Sequence, residues 1–332
     1  MDKPAIVINP RAGRGSARKA WTWLAPGIRS RFGDIPIHIT TGPGMAWQAS
    51  RQALDNGARS LICLGGDGTL NEVINAVCTL SSSPADIPIG FIPNGTGCDL
   101  IKTLPIPRDA GEALEVLVSG REQRLDIGRI TYPPGTGGVL QRYFHNVTSF
   151  GVGGDVVQRV NTSRKYLGPL SAFLWATCLT LLLSKPKRIR LRLDQGPEQI
   201  HTVWNLAVAN GQYHGGGMRI APQARLNDGL FVVVIIPKLN MLQILKHLPK
   251  LYSGRILDVP GVIVSEARSV RAESREDVLL DVDGEQIGRL PVSIELLPRA
   301  VTLMVPSTPG RPRDGLQGRG RPVQDSGADS EP

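Results

Sequence analysis

One stretch constrains this chain more than any other: Leu61–Val73, LICLGGDGTLNEV. Leu61 to Leu64 is a short apolar run. Gly65, Gly66, Asp67, Gly68 and Thr69 follow, and then Leu70, Val73, Ile74 and Val77 recur at helical spacing. The pattern predicts a buried strand, a tight turn and a helix start. Glycine costs backbone entropy on folding, so three around one aspartate mark positive φ or close approach to a ligand. Unpaired N–H groups in such a turn, at the positive end of a helix, make an anion site. Asp67 alone would repel a phosphate. With Mg²⁺ between them the sign reverses, because the carboxylate holds the metal and the metal holds the phosphate.

The first half of the chain repeats that logic. Ala5–Ile8 is an apolar strand, followed by the loop Asn9–Ser16. Ser16 is placed to cap a helix through about Phe32, interrupted near Pro26. Ile35–Thr40 is a second strand, and Thr40–Gly44 leads into a helix through Leu54. Ile87–Ile92 is a further strand, before Pro93-Asn94-Gly95-Thr96-Gly97-Cys98-Asp99. Strand and helix alternate four times, and the strands are apolar throughout. That predicts a parallel sheet covered on both faces. The glycine-rich loops all follow strand C-termini, the ligand edge of open α/β sheets. There is no GxxxxGK[ST], and Gly13-x-Gly15 lacks the third glycine of a dinucleotide fingerprint.

The second half reads as antiparallel β structure. Strand-like runs are Gln123–Ile130, Tyr143–Phe150, Arg188–Leu193, Thr202–Ala209, Leu230–Ile236, Gly261–Ser265, Val278–Asp283 and Val292–Leu297. Arg188, Arg190 and Arg192 share one face of their strand. They form either a solvated face or a contact with anionic lipid. Leu170–Leu183 is an apolar helix too short to span a bilayer. From Pro306 the chain loses periodicity and reads as disordered.

Composition narrows the partners. The 332 residues suit two domains, and the net charge of +9 suggests an anionic partner. No aromatic–basic interleaving or helix-turn-helix signal points to nucleic acid. Cys63, Cys78, Cys98 and Cys178 are scattered, so neither a disulfide framework nor a zinc pattern is present. The first residues run straight into a strand with no signal-peptide core. A cytoplasmic protein, peripherally membrane-associated, is the expectation.

GGDGT is a signature shared by diacylglycerol and sphingosine kinases, NAD kinases and phosphofructokinases. Further segments are similar to the diacylglycerol kinase catalytic-domain family, in its bacterial and its ceramide- and sphingosine-kinase-like branches. They are Asn9-Pro10 with Ala12-Gly13, Asn71-Glu72, Pro93–Asp99, Phe150–Asp155, Asn210-Gly211 with Gly215–Met218, Ala221-Pro222, Asp228-Gly229, and Asp283-Gly284-Glu285. The resemblance covers about residues 4–305. It implies an α/β nucleotide-binding domain with an NAD kinase/phosphofructokinase-like parallel sheet, then an antiparallel β-sandwich, with ATP between them. The expected division is 1–122 for ATP, 123–298 for the lipid substrate and 306–332 for the tail. A final strand near 299–305 is free to return to the first domain.

The implied activity is ATP-dependent phosphorylation of a lipid hydroxyl: diacylglycerol, or a related lipid such as sphingosine or ceramide. The alternatives are an NAD kinase or other soluble-substrate kinase, and a non-enzymatic nucleotide or nucleic-acid binder. Implied partners are the lipid and a membrane surface, without nucleic acid; a homodimer is left open. Asn9, Thr41, Gly65, Gly66, Asp67, Gly68, Thr69, Glu72, Gly95 and Thr96 would bind ATP. Asp67, Asp99, Asp126 and Asp228 would form the Mg²⁺ network. Asp283 would be the general base, oriented by Glu285, although Asp-Gly read alone is a hairpin turn. Two residues depart from the family: Cys98 replaces an Asn, and Asn227 replaces an Asp that helps bind a structural Mg²⁺ in some members.

Overall fold

The computed structural model describes residues 1–133, 138–151 and 185–307. The helix expected at Leu170–Leu183, the glycine-rich residues 152–155 and the expected disorder beyond 307 lie outside the described residues.

Four strands, β1 (Pro4–Ile8), β2 (Ile37–Ile39), β3 (Ser60–Gly65) and β4 (Ile89–Pro93), run parallel in the order β2-β1-β3-β4. The helices between and after them are α1 (Ser16–Phe32), α2 (Met45–Asp55), α3 (Asp67–Leu80), the short α4 (Leu100–Thr103) and α5 (Ala110–Ser119). Leu24 and Ile28 of α1 and Leu114 and Leu117 of α5 cover one face. Ala46 and Ala53 of α2 and Leu70, Val73 and Ile74 of α3 cover the other. This double cover is why the strands carry no alternation.

Three local expectations change. The strand expected at Ile35–Thr40 shrinks to three residues, because it is the sheet edge and exposes Ile37 and Ile39. Helix α1 passes through Pro26 without a break. Ser16 is the first helical residue rather than the cap: Gly15 holds that place at φ +91°, and the Ser16 hydroxyl donates to the Gly13 carbonyl.

The antiparallel part begins with β5 (Arg121–Tyr132), β6 (Leu140–Phe144) and β7 (Val147–Gly151). It continues through β8 (Lys187–Leu193), β9 (Gln199–Ala209), the small pair β10 (Tyr213–His214) and β11 (Met218–Arg219), and β12 (Phe231–Pro237). Helix α6 (Met241–Ser253) starts at a capping box of Asn240 and Gln243. The strands β13 (Ile263–Ala267), β14 (Ser269–Glu273), β15 (Leu279–Val282), β16 (Glu285–Arg289) and β17 (Val292–Val305) complete it.

These strands curl into a sandwich around Phe144, Phe150, Leu206, Phe231 and Leu280. The Phe144 and Phe231 rings stack at 5.7 Å. Gly128 makes room for them, since a Cβ there would sit 2.1 Å from the Phe144 ring. Two long strands join the halves. β17 pairs with β14 at one end and, through Leu303, with β4 at the other, while β5 runs antiparallel along most of its length. Among the described residues, β5 and β17 run without interruption from one half to the other.

The run expected as one strand at Tyr143–Phe150 is two, β6 and β7, broken at a corner of His145 and Asn146. The arginine row of β8 is answered by carboxylates: Arg190 pairs with Glu198 and Glu273, and Arg192 with Glu198. That is the pattern of a solvated face.

Candidate active site

The glycine-rich turn after β3 is built by close backbone contact. A Cβ on Gly95 would stand 2.7 Å from the Gly66 Cα, and one on Gly65 would meet the Thr69 Cβ at 2.6 Å. Asn9 Nδ2 donates to Thr69 Oγ1 at 2.9 Å, tying the first loop to the same turn. Asn9, Gly65, Gly66, Thr69 and Gly95 therefore form one cradle at the sheet edge. Gly68 differs, because a Cβ there would meet nothing within 4 Å. Its position in the first turn of α3 is open on the side where the helix dipole favours an anion. Thr41 and Thr96 lie exposed, and the Thr96 carbonyl accepts from Arg108.

Glu72 does not fit the nucleotide role expected of it. Its carboxylate accepts the backbone N–H groups of Gly44, Ala46 and Trp47, at 2.8, 2.8 and 3.3 Å. It is spent on the N-terminus of α2, where orphan donors and the dipole both favour a carboxylate.

Of the four aspartates expected to share a metal, two meet. The Asp99 N–H donates to Asp67 Oδ2 at 3.1 Å. Asp99 in turn accepts from Lys102 Nζ at 2.6 Å and from the Gly216 N–H at 2.8 Å, which joins the two domains. Burial first, and Asp99 second, raise the Asp67 carboxyl above the ordinary value. Two carboxylates whose charges repel in a half-open turn suit Mg²⁺, which uses one or two carboxylates and completes its shell with phosphate and water. Asp67 and Asp99 are the residues that would hold it.

Asp126 is elsewhere. Its two oxygens accept the backbone N–H groups of Arg299 and Gly229, each at 2.7 Å, so it clamps the bend of β17 to the loop before β12. Asp228 is exposed and accepts from the Leu230 N–H two residues on. Among the described residues no three His, Cys, Asp or Glu side chains gather as a metal cage.

Asp283 lies at the centre of the second domain's contribution. Asp283 and Gly284 take φ of +48° and +87° between the paired Val282 and Glu285, a two-residue hairpin turn. The turn and the site are one feature. Asp283 Oδ1 accepts the N–H groups of Asn146 and Val147, both at 3.0 Å. Its Oδ2 accepts the His145 N–H and Asn71 Nδ2, both at 2.9 Å. His145 Nδ1 stands 2.9 Å from that oxygen, as an ion pair buried on both sides. Burial alone would raise this carboxyl. The His145 imidazole and the amides outweigh it and hold it below the ordinary range. Asn71 sits one helical turn after Asp67 on α3, so a single helix connects the cradle to Asp283.

Glu285 is not what orients Asp283. It pairs with Arg142 Nη2 at 2.6 Å, and burial raises its carboxyl although Arg142 works the other way. A second pair is formed by the partly buried His214, whose Nε2 is 2.8 Å from Oδ2 of the buried Asp281. Burial opposes the charge on His214, yet Asp281 pushes its pKa up to about 9. His145, Asp281, His214 and Arg142 were not expected from the sequence. Their signal there is faint: lone residues near turns, far apart in the chain.

Comparisons with known proteins bear on the fold and on both halves of the chain. A model of the diacylglycerol kinase catalytic domain matches residues 3–130, and one of the YegS C-terminal NAD kinase beta sandwich-like domain matches residues 146–305. The chain is 28% identical over 306 residues to a diacylglycerol kinase of Staphylococcus carnosus, covering 91% of this chain and 94% of that protein. It is 27% identical over 308 residues to a diacylglycerol kinase of Bacillus subtilis, covering 92% and 97%. The structure resembles that of a diacylglycerol kinase from Bacillus anthracis at TM-score 0.66 and 20% identity, over 92% of this chain and 97% of the other. It resembles yeast NADH kinase at TM-score 0.51 and 13% identity, over 92% and 84%. The last two likenesses speak for the fold: an α/β nucleotide-binding domain followed by a β-sandwich. Among the described residues no helix is long and apolar enough to cross a membrane. Both halves are thus matched in order: residues 3–130 are similar to the diacylglycerol kinase catalytic domain, and residues 146–305 to the beta sandwich-like domain that follows it.

Proposed function

We propose that this chain transfers the γ-phosphoryl group of ATP to the hydroxyl of diacylglycerol or a related lipid, such as sphingosine or ceramide. The observation that carries the reading is the Asn71 link: α3 presents Asp67 to the cradle and, one turn later, hydrogen-bonds Asp283 across the cleft. A phosphate-binding turn and a buried carboxylate–imidazole pair are thereby held in one site.

Phosphoryl transfer needs mostly positioning and neutralisation of charge. The amides of Gly66 to Thr69 and the open side of Gly68 would take phosphate oxygens. Asp67 and Asp99 would hold Mg²⁺, which supplies charge neutralisation on the transferring phosphate when bound. The second domain supplies Asp283 with His145, and the lipid hydroxyl would enter between the two. Activity at a lipid surface requires peripheral membrane contact, and the basic balance of +9 favours an anionic bilayer.

The test is purified protein with γ-³²P-labelled ATP, Mg²⁺ and a mixed lipid panel. Label should move to a lipid. Asp67→Asn should lower that transfer by more than about 10²-fold, the scale at which removing an electrostatic catalytic group is felt. Label moving to NAD, with none to any lipid, would overturn the reading in favour of a soluble-substrate kinase.

A further inference from the structure

We propose that the outer face of β8 and β14 is the surface by which this chain docks on an anionic lipid bilayer. The choice of a bilayer as occupant rests on the lipid-kinase reading above. Sheet register assembles the face. Arg190 and Arg192 of β8 stand opposite Glu273 and Arg271 of β14, and Arg271 stands opposite Ser293 of β17. Side chains at paired positions share one side of a sheet. Arg192 and Arg271 therefore meet as like charges, an arrangement that destabilises a sheet unless something neutralises it.

Two adjoining cavities open on this face, of about 470 and 400 Å³. Arg190 and Glu273 line both. The first adds Arg192, Arg271 and Glu198, and the second adds Arg188, Arg275 and Glu276. Five arginines are thus gathered with three glutamates. Arg190 and Arg192 take up Glu198 and Glu273 between them, and Lys187 pairs with Glu276. Among the described residues, the side chains of Arg188, Arg271 and Arg275 have no carboxylate partner. The matched pairs belong to the β8 row; the surplus lies beside them.

The rim of this charged face is apolar. Val139 at the first cavity is 67% exposed, and Ile200 at the second is 54% exposed. Cations framed by exposed aliphatic side chains fit a bilayer surface. Headgroup phosphates meet the guanidinium forks, which match their oxygens, and the aliphatic tips enter the acyl boundary. A single-stranded nucleic acid would instead need exposed rings on which to stack its bases. The one aromatic residue lining these cavities is Tyr132, which is 7% exposed. Tyr132 also ties the face to the cleft. Its ring packs on Gly288 of β16, where a Cβ would stand 2.7 Å from it. That strand begins at Glu285, just past the turn that carries Asp283. A wall of the first cavity and the Asp283 turn are therefore parts of one packed unit.

The experiment is flotation of the full chain, without nucleotide, on vesicles of phosphatidylglycerol with phosphatidylcholine, or of phosphatidylcholine alone. Binding should need the anionic lipid and weaken as salt screens it. Arg188→Gln, Arg271→Gln and Arg275→Gln together should weaken it about 10²-fold, at about fivefold for each arginine lost. Arg51→Gln, Arg59→Gln and Arg124→Gln remove the same charge from other surfaces and should leave it within about threefold, because screening confines the effect to nearby charges. Val139→Ser with Ile200→Ser should weaken it about tenfold or more, through lost apolar burial. Wild-type protein that ignores anionic vesicles, or equal losses in the two arginine triples, overturns the proposal. Duplex DNA bound more tightly than the vesicles, and released by the first triple, overturns the lipid assignment. If that triple does not fold, the Val139 and Ile200 pair decides, and unchanged vesicle binding overturns the proposal. Vesicle binding that follows these expectations, with no label transferred to any lipid, removes the kinase reading alone. Label transfer with vesicle binding that the first triple leaves intact removes only the docking face.

Discussion

The two sides of the cleft are made of different material. On the α/β side the site is main chain: Gly66 against Gly95, Gly65 under Thr69, and helix amides facing open space at Gly68. On the sandwich side it is side chains: the buried Asp283 with His145, and the buried Asp281 with the partly buried His214. Backbone sites need small residues and tolerate no Cβ, whereas side-chain sites need partners and tolerate no unpaired charge. One side fails by steric crowding and the other by loss of electrostatic balance.

The largest effect expected from this contrast is at Asp283. Asp283→Ala leaves an imidazole and four N–H donors buried without their acceptor, and breaking such a pair costs about 3–5 kcal/mol. Denaturant unfolding should read that loss together with lost activity; a cost under about 1 kcal/mol would mean the corner relaxes and the contrast is false.

On the opposite side, Gly95→Ala should cost about 1–3 kcal/mol, because its Cβ must displace the Gly66 backbone. Gly68→Ala should hold stability or raise it by up to about 1 kcal/mol, since alanine favours a helix and nothing stands in its way. Its affinity for MgATP, measured by calorimetry, should fall. Equal destabilisation by the two would erase the distinction between a packing glycine and a ligand-facing one.

A smaller effect is set by His214. Its pKa of about 9 in the folded chain lies above the unfolded value of ~6.5, so the folded state binds the extra proton between those limits. That stabilisation is fully present below about pH 6.5 and is lost as pH rises through about 9. Denaturation midpoints from pH 6 to 10 should fall for the wild type and flatten in His214→Asn. An unchanged slope would remove His214 as its source.

The smallest effect is at Cys98, which sits at φ +47° with its thiol against the Gly95 N–H. Asn tolerates the left-handed region better than most side chains, which is a physical reason for the Asn of the family loop. Cys98→Asn should stabilise the chain by no more than about 1 kcal/mol, read from its melting temperature.

Legibility follows the same division. The parallel sheet showed in uninterrupted apolar runs, and the cradle in glycines that no packing pattern needs. The arginine row could be placed on one strand face, but its glutamate partners lie on other strands. Asp-Gly was readable as a turn, and the turn formed. Its aspartate gained a second meaning only when β6 and β7 broke at His145 and aimed three amides at it. Glu72 and Asp126 sat in motif positions, yet each found backbone donors on a neighbouring element first. An acidic residue in a sequence carries no record of which N–H will reach it.

Local rules were therefore enough for the α/β half, because strand burial, helix starts and glycine turns are set by neighbours within a few residues. Which carboxylates stay available for chemistry depended on long-range pairing. Contacts such as Asn71 with Asp283 join residues that only the closed sheet brings within hydrogen-bond distance.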